Sequence, residues 1–265
     1  MRQVRTTLTL LIAYACLVAP AWASPSVTLT ATFKPEQLGH GTTLGFGFNI
    51  AATSGRVPPP LTELDVRYPA NIGIATSGLG IATCTAPTLE ASGPEGCPAD
   101  SLMGYGSALA EIPIGPEIIQ ENGQISIIRA PSQNRHIAML FYAKGISPVD
   151  ARIVFPGLVL PAAAPFGGLV KIAVPLVPSL PEAPDVAVVR VRSTIGPEHL
   201  TYYQRVHGKL MAYNPQGILL PDSCPRGGFP FAATFTFLDG SHASARTAVP
   251  CPRSGPRSRR SRSKR

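Results

Sequence analysis

Polar and apolar residues alternate along most of this chain. Val27, Leu29, Ala31 and Phe33 interleave with Ser26, Thr28, Thr30 and Thr32, and Leu44, Phe46, Phe48 and Ile50 repeat the pattern. A period of two puts each set on one face of a pleated strand, so both runs predict half-buried strands. Opposite the second set stand Gly45 and Gly47, which predict a close neighbouring backbone on that face. Similar runs cover 63–68, 104–112, 124–129, 137–144, 151–155, 169–174, 186–194, 202–207, 209–213, 229–238 and 243–249. No window sustains apolar residues at helical spacing over three turns, and 29 prolines and 25 glycines punctuate the chain. The pattern predicts an all-β protein, an antiparallel β-sandwich of immunoglobulin-like or jelly-roll-like type with about a dozen short strands. Short helical turns are expected near 98–103 and 116–120.

The two ends break the alternation. Arg2 and Arg5 precede an apolar run from Leu8 to Ala19, and Ala21-Trp22-Ala23 supplies small residues at a cleavage position. This reads as a secretory signal peptide over 1–23, because the run is shorter than the roughly 20 residues that span a bilayer. The other end, 253–265, carries Arg253, Arg257, Arg259, Arg260, Arg262, Lys264 and Arg265 without an acid or an apolar side chain. It reads as a disordered basic tail with nothing to bury. Between them, 24–252 holds 14 basic and 15 acidic residues, so the net charge of +8 belongs to the ends. The β domain is expected over 24–252, with the proline-rich stretch 155–184 as a crossover or as a connection between two halves. Within that stretch, 155–181 is strongly apolar but contains six prolines and Lys171, which favours short buried strands and turns over a membrane span.

Four cysteines remain beyond the leader, which itself holds Cys16: Cys84, Cys97, Cys224 and Cys251. An even number in an exported chain implies disulfides. Three connectivities are formally possible. The local one, Cys84 with Cys97 and Cys224 with Cys251, is preferred because each pair flanks its own turn signal, 90–96 in the first and Asp239-Gly240 in the second. A two-residue turn at Asp239-Gly240 would set Leu238 opposite Ser241 and position 228 opposite Cys251. Zinc and redox sites usually want Cys-x-x-Cys spacing, which is absent, and no histidine lies within five residues of these cysteines. Phe229, Phe231, Phe235 and Phe237 share one strand face and are expected in the core.

The stretches "CTAPTLEASGPEGCPADSLMGYGSA" and "GILLPDSCPRGGFPFAATFTFLDG", with a closing "VPCP", resemble a group of exported β-rich proteins from high-GC soil bacteria. The similarity extends to "PPPLTELDVRYPANIGI". It implies export and paired cysteines, and it implies no catalytic residues.

Candidate chemistry is sparse. Gly104-Tyr105-Gly106-Ser107-Ala108 sets its serine in the wrong place for a hydrolase elbow, which makes Ser107 a poor nucleophile. His40, His136, His199, His207 and His242 are scattered without metalloenzyme spacing. Glu63, Asp65, Glu111 and Glu121 are the carboxylates available for paired acid–base work. Tyr202-Tyr203, near His199, is the one candidate sugar platform, with one of the two rings expected to face inward. The basic tail is the clearest functional chemistry: its seven cations suit an anionic cell-envelope polymer or lipid surface, with salt-sensitive binding. Export argues against nucleic acid as a partner, and no cofactor or metal is expected. The sequence thus favours a non-enzymatic structural or adhesive role at the envelope, ahead of a secreted hydrolase and of a small-molecule or glycan-binding module.

Overall fold

Most of the alternating runs become the strands of one long antiparallel sheet. The computed structural model describes residues 24–53, 55, 57–74, 78–148, 150–177 and 185–252. The signal-peptide expectation for 1–23 and the basic tail at 253–265 lie outside these residues. The strands are β1 (Ser26–Lys34), β2 (Gly41–Ala51), β3 (Leu61–Pro69), β4 (Leu102–Ile114), β5 (Glu117–Gln133), β6 (His136–Ser147) and β7 (Arg152–Pro161). They continue as β8 (Phe166–Ala173), β9 (Ala187–Ile195), β10 (Tyr202–Val206), β11 (Lys209–Tyr213), β12 (Ile218–Leu219), β13 (Phe229–Phe237) and β14 (His242–Val249). Hydrogen-bonded neighbours run β1-β2-β9-β4-β5-β6-β7-β8-β3-β13-β14, with β12 added beside β2, while β10 and β11 form a separate hairpin. β7 and β8 are adjacent strands in the middle of this sheet, within the proline-rich stretch.

The sheet rolls so that its two halves face each other. Its terminal strands β1 and β14 come within 8 Å of each other, Cα to Cα, but do not pair as a ladder. Ring contacts cross the interior in place of that ladder: Phe33 meets Phe229 at 5.3 Å edge-on, and Phe48 meets Phe235 at 5.1 Å. All four phenylalanines of β13 are fully buried. The inner face is apolar, whereas the outer face carries Thr28, Thr30 and Thr32 on β1, Glu63, Asp65 and Arg67 on β3, and Arg190 and Arg192 on β9. This polarity is the inverse of a membrane-spanning barrel, whose lipid face is apolar. Among the described residues no helix is long and apolar enough to cross a membrane.

The glycines of β2 face side chains as well as backbone. Gly45 pairs with Thr32 and Gly47 with Thr30, and a Cβ at Gly45 would stand 2.5 Å from the Thr32 hydroxyl. At Gly47 the near atoms are the Val191 carbonyl, at 2.9 Å, and the Thr30 hydroxyl, at 3.0 Å. The threonines of β1 therefore lie over the gaps that the glycines leave.

The helical expectations divide. A 3-10 turn at Ala99–Ser101 falls where one was expected, but 116–120 opens β5 after a tight turn at Gly115-Pro116. Gly115, at φ 55°, supplies the reversal that a helix would have delayed. The chain also forms one short helix, α1 (Ala86–Ser92), capped by the Thr85 hydroxyl and closed by Gly93 at φ 67°. Leu89 of α1 is fully buried with Ile128, Ala130, Ala138, Leu140 and Tyr142, which β5 and β6 turn outward beneath it. The helix thus covers a strongly apolar part of the outer wall.

Both local disulfides form. Cys84–Cys97 encloses α1 and holds it against the wall, and Cys224–Cys251 joins the segment before β13 to the end of β14. The register of that hairpin differs by one residue from the expectation. Phe229 pairs with Val249, and Leu238, Asp239 and Gly240 form a three-residue loop closed by Phe237 and Ser241. Gly240, at φ 80°, takes the left-handed position that such loops require. In this register position 228 lies level with Pro250 and Cys251 lies one residue further out, and the Pro225-Arg226-Gly227-Gly228 turn brings Cys224 back to it.

Removing either bridge should destabilise the fold through the longer reach of the unfolded chain. Cys84→Ser with Cys97→Ser should cost about 3 kcal/mol, and Cys224→Ser with Cys251→Ser slightly more, because its loop is longer. Urea unfolding under non-reducing conditions measures both, and midpoints equal to the parent would contradict the assignment.

Candidate functional site

The rolled sheet encloses an elongated apolar cavity of about 290 Å³. Its cause is visible in the register. Ala108 of β4 pairs with Gly123 of β5, which pairs with Gly145 of β6, so three side-chain-poor positions stand in one row across adjacent strands. Ala110 and Ala143 widen the same wall. Facing them are Leu64, Val66, Val170 and Ile172 from β3 and β8. Where large side chains face this small row, a gap remains that close packing would otherwise fill.

The gap follows the strands. It reaches from Ile112, Glu121 and Gly145 at one end to Met103 and Ile218 at the other. Met103 and Ile112 both lie on β4, separated by about 30 Å of extended strand at roughly 3.3 Å per residue. The end near Ile112 is the rim, where Glu121, Gly145, Ala151, Pro175 and Val186 are half-exposed. The opposite end is a floor: Leu79 and Leu200 from loops and Tyr202 from the start of β10 pack beneath Met103, Ile127 and Met139, all buried.

Tyr202 fixes that floor. Its ring is fully buried, its hydroxyl donates to the Leu102 carbonyl, and the Gly80 N–H donates to it at 3.0 Å. Burial pushes its phenol up to about 12, against a smaller downward pull from the Gly80 hydrogen bond. As expected, one of the two adjacent tyrosines faces inward. Tyr203 points to solvent, so no paired aromatic platform forms.

Polar side chains in the cavity lining are few, and two of them, Glu121 and Ser193, are engaged by backbone groups. Glu121 accepts from the Ile146 and Ser147 N–H groups at 3.0 and 3.1 Å, which caps the bulged end of β6 at the rim. Ser193 donates to the Phe46 carbonyl at 3.0 Å. The wall offers apolar contact along its length and polar groups mainly at the rim.

The other sequence candidates do not converge on it. Glu63 and Asp65 lie on the outer face, where Lys171 meets them at 2.6 and 3.8 Å and is held above its usual value chiefly by its hydrogen bond to Glu63. Glu111 accepts from Gln120 at 3.3 Å. Ser107 is exposed on the outer face of β4, opposite Gln124 and Arg192. His40 bonds the Leu38 carbonyl, His242 the Thr236 hydroxyl, and His199 stands 3.9 Å from Glu198. His136 opens β6 and His207 occupies the β10–β11 turn. Among the described residues no group of three metal-ligating side chains comes together. Sequence reasoning missed the cavity. The available signal was the run of Ala and Gly at inward positions, which alternation alone counts as ordinary strand.

Fold and cavity together define a disulfide-stabilised, all-β protein with an apolar interior, and disulfides of this kind belong to an oxidising compartment. No protein-family model, curated protein or solved structure matches the chain.

The floor sets a pH dependence. A phenol whose folded value exceeds its unfolded value near 10 binds its proton more tightly when folded, so its stability contribution is complete below 10 and is lost as pH rises through about 12. Unfolding midpoints should therefore fall over that window. Tyr202→Phe should flatten part of the fall while costing about 1–3 kcal/mol at neutral pH for the unpaired Leu102 and Gly80 groups. An identical alkaline slope in Tyr202→Phe would show that the hydroxyl is not held as described.

Proposed function

We propose that the chain is an exported binding protein that houses an apolar, chain-shaped molecule inside its rolled sheet. The apolar cavity carries this reading. An engineered cavity of about 150 Å³ lined by aliphatic and aromatic side chains stays dry and takes up benzene, and the volume here is about twice that. Its length along β4 and its modest volume favour a thin flexible ligand over a compact ring system. Such a ligand would place its apolar chain toward Met103 and Ile218 and its polar end at the rim.

A purely structural or adhesive role has less support. A scaffold gains stability from a filled interior, whereas the Ala108, Gly123 and Gly145 row forgoes that packing. Hydrolysis has less support again, because Glu121 and Ser193 are committed to backbone groups and no histidine reaches them. The leader over 1–23 would deliver the protein across the membrane. The cations Arg253, Arg257, Arg259, Arg260, Arg262, Lys264 and Arg265 would hold it to an anionic envelope polymer or lipid surface.

The test is competition of straight-chain fatty acids of increasing length against a fluorescent apolar probe. Each buried methylene contributes about 0.8 kcal/mol, so affinity should rise roughly fourfold per added carbon until the chain meets the floor, and then level off. Ala108→Phe and, separately, Ala143→Leu should weaken the longest chains by about tenfold or more without lowering the melting temperature. Affinity that ignores chain length, or that survives both substitutions, would overturn the proposal.

A further inference from the structure

The β10–β11 hairpin stands apart from the sheet, because its two strands pair only with each other. Its base is pinned by buried Tyr202, against which Tyr213 packs edge-on at 5.8 Å. Beyond the base the ribbon projects with both faces in water. Tyr203, Arg205 and Leu210 share one face, and Gln204, Met211 and Lys209 the other. Tyr203, Leu210 and Met211 are 52%, 64% and 51% exposed. Between 202 and 213 there are two fixed cations, Arg205 and Lys209, with His207 at the turn and no acid.

Leu210, Met211 and Tyr203 lie in water along the two faces of the ribbon, between its base and the His207-Gly208 turn, a poor arrangement because isolated hairpins are marginal in water. The same composition suits one particular surface. Cations attract lipid phosphates, aliphatic side chains enter the upper acyl region, and tyrosine settles at the boundary between the two. We propose that this hairpin is an anchor that inserts into the head-group layer of an anionic lipid bilayer.

Two further observations favour that occupant. β14 ends beside the start of β13, at the floor end of the sheet from which the hairpin also projects, so the strongly basic sequence 253–265 begins at that end. A second copy docking symmetrically through the hairpin would set Arg205 and Lys209 against like charges. Anchored this way, the molecule keeps its cavity rim turned away from the lipid. The anchor does not rest on the cavity reading, and either can fail alone.

The full chain carrying Trp22→Phe and Tyr203→Trp has a single tryptophan, on the hairpin. Its emission should shift to the blue with vesicles of phosphatidylcholine and phosphatidylglycerol and stay unmoved with phosphatidylcholine alone. With the tail intact, Leu210→Ser with Met211→Ser, and separately Arg205→Gln with Lys209→Gln, should raise the lipid concentration for half-binding by about tenfold or more. Four results would overturn the anchor. They are no vesicle binding, binding with the hairpin tryptophan emission unmoved, both double variants binding like the parent, and a lipid-independent blue shift with dimer formation in light scattering.

Discussion

The structure depends on burying one apolar face of a single long sheet. Each strand from β1 to β14 on the main path presents alternate apolar side chains to one side, and a flat sheet would leave that side in water. Rolling brings the face of β2, β9 and β4 against that of β3, β8 and β13. Phe33, Phe48 and the phenylalanines of β13 then bury one another from opposite walls. The closing strands β1 and β14 are drawn together by these contacts. At roughly 1.5–3 kcal/mol per fully buried large side chain, the phenylalanines of this seam outweigh any exposed ion pair on the wall.

The same constraint produces the cavity. Strands of a rolled sheet hold a spacing of about 4.8 Å and cannot collapse individually onto a gap. When Ala108, Gly123 and Gly145 fall in one row, the ladders through β4, β5 and β6 keep the wall in place and the space persists. Closing the floor then needs only short loops, and the Tyr202 hydroxyl ties the loop at Gly80 to the start of β4 at Leu102. The outer wall solves its own problem separately: α1, stapled by Cys84–Cys97, covers the patch at Ile128, Ala130 and Leu140 that β5 and β6 turn outward.

Alternation exposed the strands, their inward faces and the antiparallel all-β class, because period two is a direct consequence of the pleat. Cysteine spacing and turn residues exposed both disulfides. Three features escaped for physical reasons. The hairpin register slipped by one because Asp239-Gly240 reads as a two-residue turn, whereas Gly240 serves as the left-handed residue of a three-residue loop. Helix α1 has only seven residues, too short to display helical periodicity. The cavity escaped because alternation gives the direction of a side chain and says nothing of the volume left between facing walls. That volume depends on which residues pair across strands distant in sequence, as Leu64 of β3 with Phe235 of β13.

The most direct measurement of the central claim is the set of nuclear Overhauser contacts between a carbon-labelled long-chain fatty acid and the protein's methyl groups. The account predicts contacts from the terminal methyl of the chain to Met103, Ile127 and Ile218, and from the carbon next to the carboxylate to Ala151 or Val186 at the rim. Contacts confined to outward-facing residues, or none inside the sheet at saturating ligand, would contradict it.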